Sequence, residues 1–142
     1  MNTVNQILDQ KGRTVFSIRP DASVYDAIAM MADKHVGALP VVEGDKLIGL
    51  ISERDYARKG ILQGRSSPDT KVREIMIDHV MVVPQGQTTE ECMALMTEKR
   101  IRHLPVVEGG DLVGVVSIGD MVKAIISEQR FTIEQLEHYI SS

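Results

Sequence analysis

Apolar positions along the 142-residue chain change their period several times, and each change marks an element. Val24, Ala27, Ile28, Met31 and Ala32 recur at three- and four-residue steps, which keeps one face of an α-helix apolar. Ser23 with Asp26 precedes this run. Thr88 with Glu91 stands the same way before a second run containing Cys92, Met93 and Met96. Both pairs have the form in which a hydroxyl and an acid three residues on satisfy the free amides of a helix start. Two short β-branched runs, Leu39–Val42 and Leu47–Ile51, follow the first helix, and Gly44-Asp45 between them predicts a hairpin. Gly109-Gly110 occupies the same place between two matching runs. Further helices are expected from Ser52 and from Ser117. A lead helix is expected near Val4–Gln10, and a last one around Thr132–Ile140, capped by Thr132-x-x-Gln135.

The chain aligns on itself. LPVVEG stands at Leu39–Gly44 and again at Leu104–Gly109, 65 positions on. Setting His35–Ile61 over Arg100–Ile126 needs no gap. Upstream, Phe16–Lys34 matches Val80–Lys99 if one residue is inserted near the proline. Each copy has the order β-α-β-β-α, an α+β arrangement. A unit of about 50 residues buries too little surface to stand alone, so the two copies are expected to pack together about a pseudo-two-fold axis. The expected segments are a lead helix at 1–14, repeats at 15–64 and 80–127, a linker at 65–79 and a last helix at 128–142. Gly64–Asp69 has turn composition.

Composition narrows the function classes. A net charge of −4 gives no global basic field to hold nucleic acid or an anionic membrane. The N-terminus lacks the basic start and apolar run of a secretory signal, and no apolar stretch is long enough to span a bilayer, so a cytoplasmic location is expected. Cys92 is the single cysteine and reads as a core thiol. His35, His79, His103 and His138 show no metal-ligand spacing, and no nucleophile elbow or phosphate loop is present. No enzyme activity and no catalytic cofactor are expected.

The chemistry that remains lies at the two helix starts. Ser52-x-x-Asp55 and Ser117-x-x-Asp120 each place a hydroxyl and a carboxylate directly after a buried strand. There the free amides and the helix dipole favour an anion, and a carboxylate can accept both hydroxyls of a ribose. An ordinary capping pair has the same spacing, and on spacing alone it is the stronger reading. For Arg58 and Lys59 a solvated basic helix face is preferred.

The repeated phrase LPVVEG-x-x-L-[IV]-G-[LV]-[IV]-S-x-x-D, in this element order, resembles a tandem pair of CBS domains, the Bateman module. The resemblance covers nearly the whole chain and extends to small stand-alone bacterial proteins of signal-transduction type. It implies adenosine-containing ligands (AMP, ADP, ATP, NAD(H) or S-adenosylmethionine) in clefts between the repeats, and it shifts the reading of both aspartates toward ribose binding. Carried over residue by residue, one site combines Ser117, Gly119 and Asp120 with Ser17, Val36, Gly37 and Ala38. The other combines Ser52, Arg54 and Asp55 with Val80, Val82, Ile101, Arg102 and His103. The second site then carries more positive charge, suited to phosphates.

The resemblance also implies a homodimer, and helix faces such as Ala27–Met31 and Cys92–Met96 are expected to need cover. The leading function is a regulatory module that senses an adenosine nucleotide and signals to an unidentified partner protein. The alternative is an adaptor dimer with vestigial clefts. Nucleic acid and membrane are not expected partners.

Overall fold

The computed structural model describes residues 2–141. Its helices and strands are α1 (Val4–Lys11), α2 (Val24–Lys34), β1 (Ala38–Glu43), β2 (Lys46–Ser52), α3 (Glu53–Asp55), α4 (Val72–Ile75), α5 (Thr89–Lys99), β3 (His103–Glu108), β4 (Asp111–Ser117) and α6 (Ile118–Ser141). Two units emerge, one built from Val15–Met81 and the other from Met1–Thr14 together with Val82–Ser142.

The repeat is reproduced element by element. In each unit two antiparallel strands pair, Ala38 with Ser52 and His103 with Ser117, and each register shifts once, between Val41 and Val42 and between Val106 and Val107. Helices α2 and α5 end on His35 and Arg100, both at φ 56°. Thr88 and Glu91 form the full reciprocal cap, whereas Ser23 only accepts the Asp26 amide.

The expected first strand of each copy is a single parallel bridge, Ile18 to Val41 and Val83 to Val106. Ile18 donates its amide to Pro40 and Val83 donates to Pro105. These bridges correct the alignment: Ile18 is equivalent to Val83, 65 positions on, so no residue is inserted and the two prolines Pro20 and Pro84 are not counterparts.

The linker expected at 65–79 contains α4, which the sequence reading missed. Thr3 bridges Thr88, and Lys71 bridges Ser23, the equivalent cap residue of the other repeat. Lys71-Val72 through Met76 therefore repeats Thr3-Val4 through Leu8, and each segment packs on the repeat that does not directly follow it. Thr3 and Lys71 both have amides closed by a residue three along, Gln6 and Glu74. The motif glycines show why the fit is close. A Cβ on Gly114 would stand 2.6 Å from Leu8 Cδ2, and one on Gly49 would stand 2.5 Å from Met76 Sδ.

Each unit has its own core. Val4, Ile7 and Leu8 pack with Cys92, Met96, Leu104, Val106, Val116 and Met121 in one. Val24, Ala27, Met31, Leu39, Val41, Ile51, Val72 and Ile75 fill the other. Of the faces expected to need cover, Ala27, Met31, Cys92 and Met96 are buried within their own units, whereas Ile28, Met30, Met93 and Leu95 are only partly buried and Ala29 and Ala94 are exposed.

The helices after the hairpins differ. The helix expected from Ser52 is three short pieces: α3, a wider π-helical turn Tyr56–Gly60, and a 3₁₀ turn Ile61–Gln63 ending on Gly64 at φ 71°. Glycines stand at 60 and 64 where the other copy has Ile125 and Gln129, and each costs a helix interior about 1 kcal/mol. With no glycine or proline after Gly119, α6 runs unbroken to Ser141, so no separate last helix begins at Thr132. The Thr132 hydroxyl donates back to the Glu128 carbonyl, 3.1 Å away, instead of capping.

Candidate functional site

The two Ser-x-x-Asp motifs sit where the second hairpin strand of each unit turns into a helix. At the first, the Ser52 amide and hydroxyl both donate to Asp55 Oδ2 at 2.9 Å, and the Asp55 amide donates to Ser52 Oγ at 3.2 Å. At the second, the Ser117 amide donates to Asp120 Oδ2 at 2.8 Å, and the Asp120 amide donates to Ser117 Oγ at 3.1 Å. Both are reciprocal caps, so the capping reading is true of each carboxylate's Oδ2.

It is not the whole account. Each carboxylate oxygen can accept about two hydrogen bonds. At Asp55, Oδ2 is filled by Ser52, and Oδ1 faces the Lys59 ammonium at 3.9 Å. At Asp120, Oδ2 is filled by Ser117 and by Lys11 Nζ at 2.7 Å, with Oδ1 outside the cap. The carboxyl side chains keep 11% and 15% exposure, enough for a ligand atom to reach an oxygen otherwise withdrawn from water.

The segment before each LPV lies beside the motif of its own unit. Glu53 donates its amide to the Gly37 carbonyl at 3.1 Å, and Ile118 donates to the Arg102 carbonyl at 2.9 Å. The first-turn amides that neither the cap nor this contact engages are those of Arg54 and Gly119. Val36–Ala38 therefore accompany Ser52, Arg54 and Asp55, while Ile101–His103 accompany Ser117, Gly119 and Asp120. The grouping carried over from the family sets each of these segments with the motif of the other repeat. Ser17 and Val82, the exposed residues just before the two bridges, are equivalent to each other, and Val80 is not equivalent to Ser17.

Lys11 is the residue that sequence reasoning missed. It closes α1, donates to the Val115 carbonyl at 2.9 Å and reaches Asp120 from 109 positions away. The pairing of TVNQIL with KVREIM, at Thr3–Leu8 and Lys71–Met76, is the sequence signal that could have placed α1 on the second repeat. Lys59 reaches Asp55 from one helical turn on and also donates to the Ile75 carbonyl at 3.4 Å, so it is more than a solvated face. Arg58 is exposed, as expected.

Cys92 is fully buried, and burial pushes its thiol up to about 11, with Glu91 adding to the shift. That fits a core thiol. Two open grooves of about 490 and 510 Å³ run along α6, and neither includes a residue of the Ser117–Asp120 motif. Among the described residues no group of His, Cys, Asp or Glu is placed to hold a metal, and no helix is long and apolar enough to cross a membrane.

The CBS-domain family model matches residues 12–60 and 72–127, the two structural repeats. The chain belongs to the CBS-domain family. A solved signal-transduction-type protein with CBS domains from Burkholderia ambifaria MC40-6 is 54% identical, with a TM-score of 0.87 over 90% of this chain and 96% of that one. CBS domain-containing protein CBSX3, mitochondrial, of Arabidopsis thaliana is 41% identical across 97% of this chain and 71% of its own length. CBS domain-containing protein YhcV of Bacillus subtilis is 32% identical across 83% of this chain and 84% of its own.

Proposed function

We propose that this CBS pair is a regulatory module that binds an adenosine-containing nucleotide at its two Ser-x-x-Asp helix starts and passes occupancy to a partner protein. The observation that carries the reading is the division of labour at each aspartate. Oδ2 is consumed by the cap, while Oδ1 of a largely buried carboxylate stays outside it in both repeats. A cap requires only one of the two oxygens. An acceptor of this kind suits the paired hydroxyls of a ribose, and the Arg54 and Gly119 amides beside it suit a sugar or phosphate oxygen.

The two repeats differ in charge. Asp55 has Lys59 beside it and Arg54 next to it in sequence, whereas Asp120 has Lys11, with Arg102 on the adjoining segment. Phosphate-rich ligands such as ATP or NAD(H) therefore have cations available in either repeat, and Arg102 with Lys11 favours the second.

A thermal-shift series with AMP, ADP, ATP, NAD(H) and S-adenosylmethionine tests the proposal. Saturation to roughly 100 times Kd adds about 2.7 kcal/mol, which raises Tm by roughly 5–15 °C for a chain of this size. No shift with any of them at millimolar concentration would favour the adaptor reading.

A further inference from the structure

Leu50 and Val115 hold the same place in the two hairpins, 65 positions apart and opposite Pro40 and Pro105. Their carbonyls are satisfied in different ways. In the first repeat the lead segment leaves its helix after Ile75, and Ile77 exchanges two backbone hydrogen bonds with Leu50, at 2.8 and 2.9 Å. In the second repeat α1 stays helical for eight residues, and the Lys11 ammonium takes the Val115 carbonyl at 2.9 Å where a backbone amide stood in the first. The same ammonium donates to Asp120 Oδ2 at 2.7 Å. One lead segment is therefore fastened here by main chain, and the other by a side chain shared with the motif aspartate.

The last turn of α1 lies on the outside of its unit. Asp9, Gln10 and Lys11 are exposed, and the buried residues of the helix are Val4, Ile7 and Leu8. Eight residues are too few for a helix to persist alone in water, so order in that turn depends on what its side chains grip. Arg13 grips Asn5, Asp9 and Gln85, none of them part of the motif. Lys11 grips the motif itself. An ammonium has three N–H donors, and Val115 and Asp120 use two. The side chain is 38% exposed, which leaves the third N–H open to a ligand oxygen.

We infer that α1 is the reporter of the second site: a phosphate bound beside Asp120 takes the third N–H of Lys11 and tightens the last turn of α1, so a phosphorylated ligand is read out and adenosine alone is not. The inference rests on the nucleotide reading above and adds to it a route for the signal. A phosphate bond to this ammonium is charge-assisted and joins the two already present, so it restrains the side chain without costing α1 a contact. The first repeat lacks this route, because the two bonds of Ile77 do not involve Asp55. Lys59 does reach the Ile75 carbonyl, at 3.4 Å, but Ile77 holds that segment independently of it.

Hydrogen exchange of the full chain tests the coupling, read at the Gly12 amide, which closes α1 by donating to the Leu8 carbonyl at 2.8 Å. Without ligand, Lys11→Met and Asp120→Asn should each speed that exchange roughly two- to five-fold, the double variant no further, and Asp55→Asn not at all. ATP should slow it in the parent and adenosine should not. Lys11→Met should lose the response to ATP while it still binds adenosine. Exchange indifferent to Asp120→Asn, an equal response to ATP and adenosine, or a response to ATP that survives in Lys11→Met would each overturn the inference. Titration calorimetry on the same samples keeps the two claims apart. Binding of ATP with no change at α1 overturns this inference alone, whereas binding of neither ligand overturns the nucleotide reading and this inference with it.

Discussion

Replacing Asp55 or Asp120 by asparagine separates what each carboxylate does for the fold from what it does for a ligand. Asparagine keeps one acceptor oxygen, which can still take the Ser52 or Ser117 amide now at 2.9 or 2.8 Å. As a cap element the exchange should cost only a few tenths of a kcal/mol to about 1 kcal/mol. The lost ion pair adds little at Asp55, where Lys59 is 3.9 Å away and half exposed. It adds up to about 1 kcal/mol at Asp120, where Lys11 is 2.7 Å away and keeps its second contact on Val115. Apo Tm should therefore fall by roughly 2–8 °C, more for Asp120→Asn. The ligand loses more. Asparagine supplies one oxygen where aspartate had two, so with the cap still served by that oxygen the ribose meets an NH₂ group. A hydrogen bond to a charged group, worth about 1.5–3 kcal/mol, is forfeited, and affinity should drop roughly 10- to 100-fold. Differential scanning calorimetry of the apo variants and titration calorimetry with AMP, ATP and NADH measure the two quantities separately. Apo melts that fall sharply while every affinity stays at the parent value would refute the reasoning and leave these aspartates as caps alone.

Lys11→Met should cost under about 1 kcal/mol of apo stability, since the ammonium is partly exposed. It should weaken ATP roughly several-fold and leave adenosine unchanged if Lys11 serves phosphate, and equal effects on both would argue against that role. Cutting the chain at Ser66-Ser67 should yield two halves that do not melt cooperatively, because α1 and α4 are each separated from the repeat whose core they fill; two independently stable halves would contradict this. Leu8→Ala, at a position 1% exposed, should cost about 2–5 kcal/mol by the same logic, measured by urea denaturation. Cys92 has a folded pKa of about 11 against an ordinary 9.0, so the unfolded chain loses the thiol proton first. Its contribution is complete below pH 9, declines between about 9 and 11, and reaches at most about 2–3 kcal/mol. A Cys92→Ala variant should lack that part of the alkaline slope.

Much of the fold was legible because the hairpin motif is nearly identical in both copies, and identical residues set identical registers. LPVVEG and the following L-x-G fix both strands, and Ser-x-x-Asp fixes both helix starts. Three elements escaped. Aligning Pro20 with Pro84 was a choice of residue identity over pattern, and the Ile18 and Val83 bridges show that the buried residue carries the equivalence. The similarity of TVNQIL to KVREIM is only a few residues long, too weak to notice before the bridges of Thr3 and Lys71 pair these segments with equivalent caps. Thr132-x-x-Gln135 has the form of a helix start, but a cap forms only where the preceding backbone leaves the helix, and nothing before Thr132 makes it do so.

The candidate site was legible as residue types and not as a grouping. Nothing in the sequence tells which copy's pre-LPV segment faces which aspartate. Within each repeat the strand register sets Ala38 opposite Ser52 and His103 opposite Ser117, which puts each segment beside its own motif. Lys11 was invisible for a different reason. It lies far from Asp120 in sequence, and only the packing of Leu8 over Gly114 brings α1 across the second hairpin.

A crystal structure grown with AMP in excess tests the central claim most directly. The account predicts ribose hydroxyls within hydrogen-bonding distance of Oδ1 of Asp55, of Asp120 or of both, with the reciprocal caps on Oδ2 still in place. Nucleotide bound at a site remote from both aspartates, or crystals in which AMP at saturating concentration occupies neither, would contradict it.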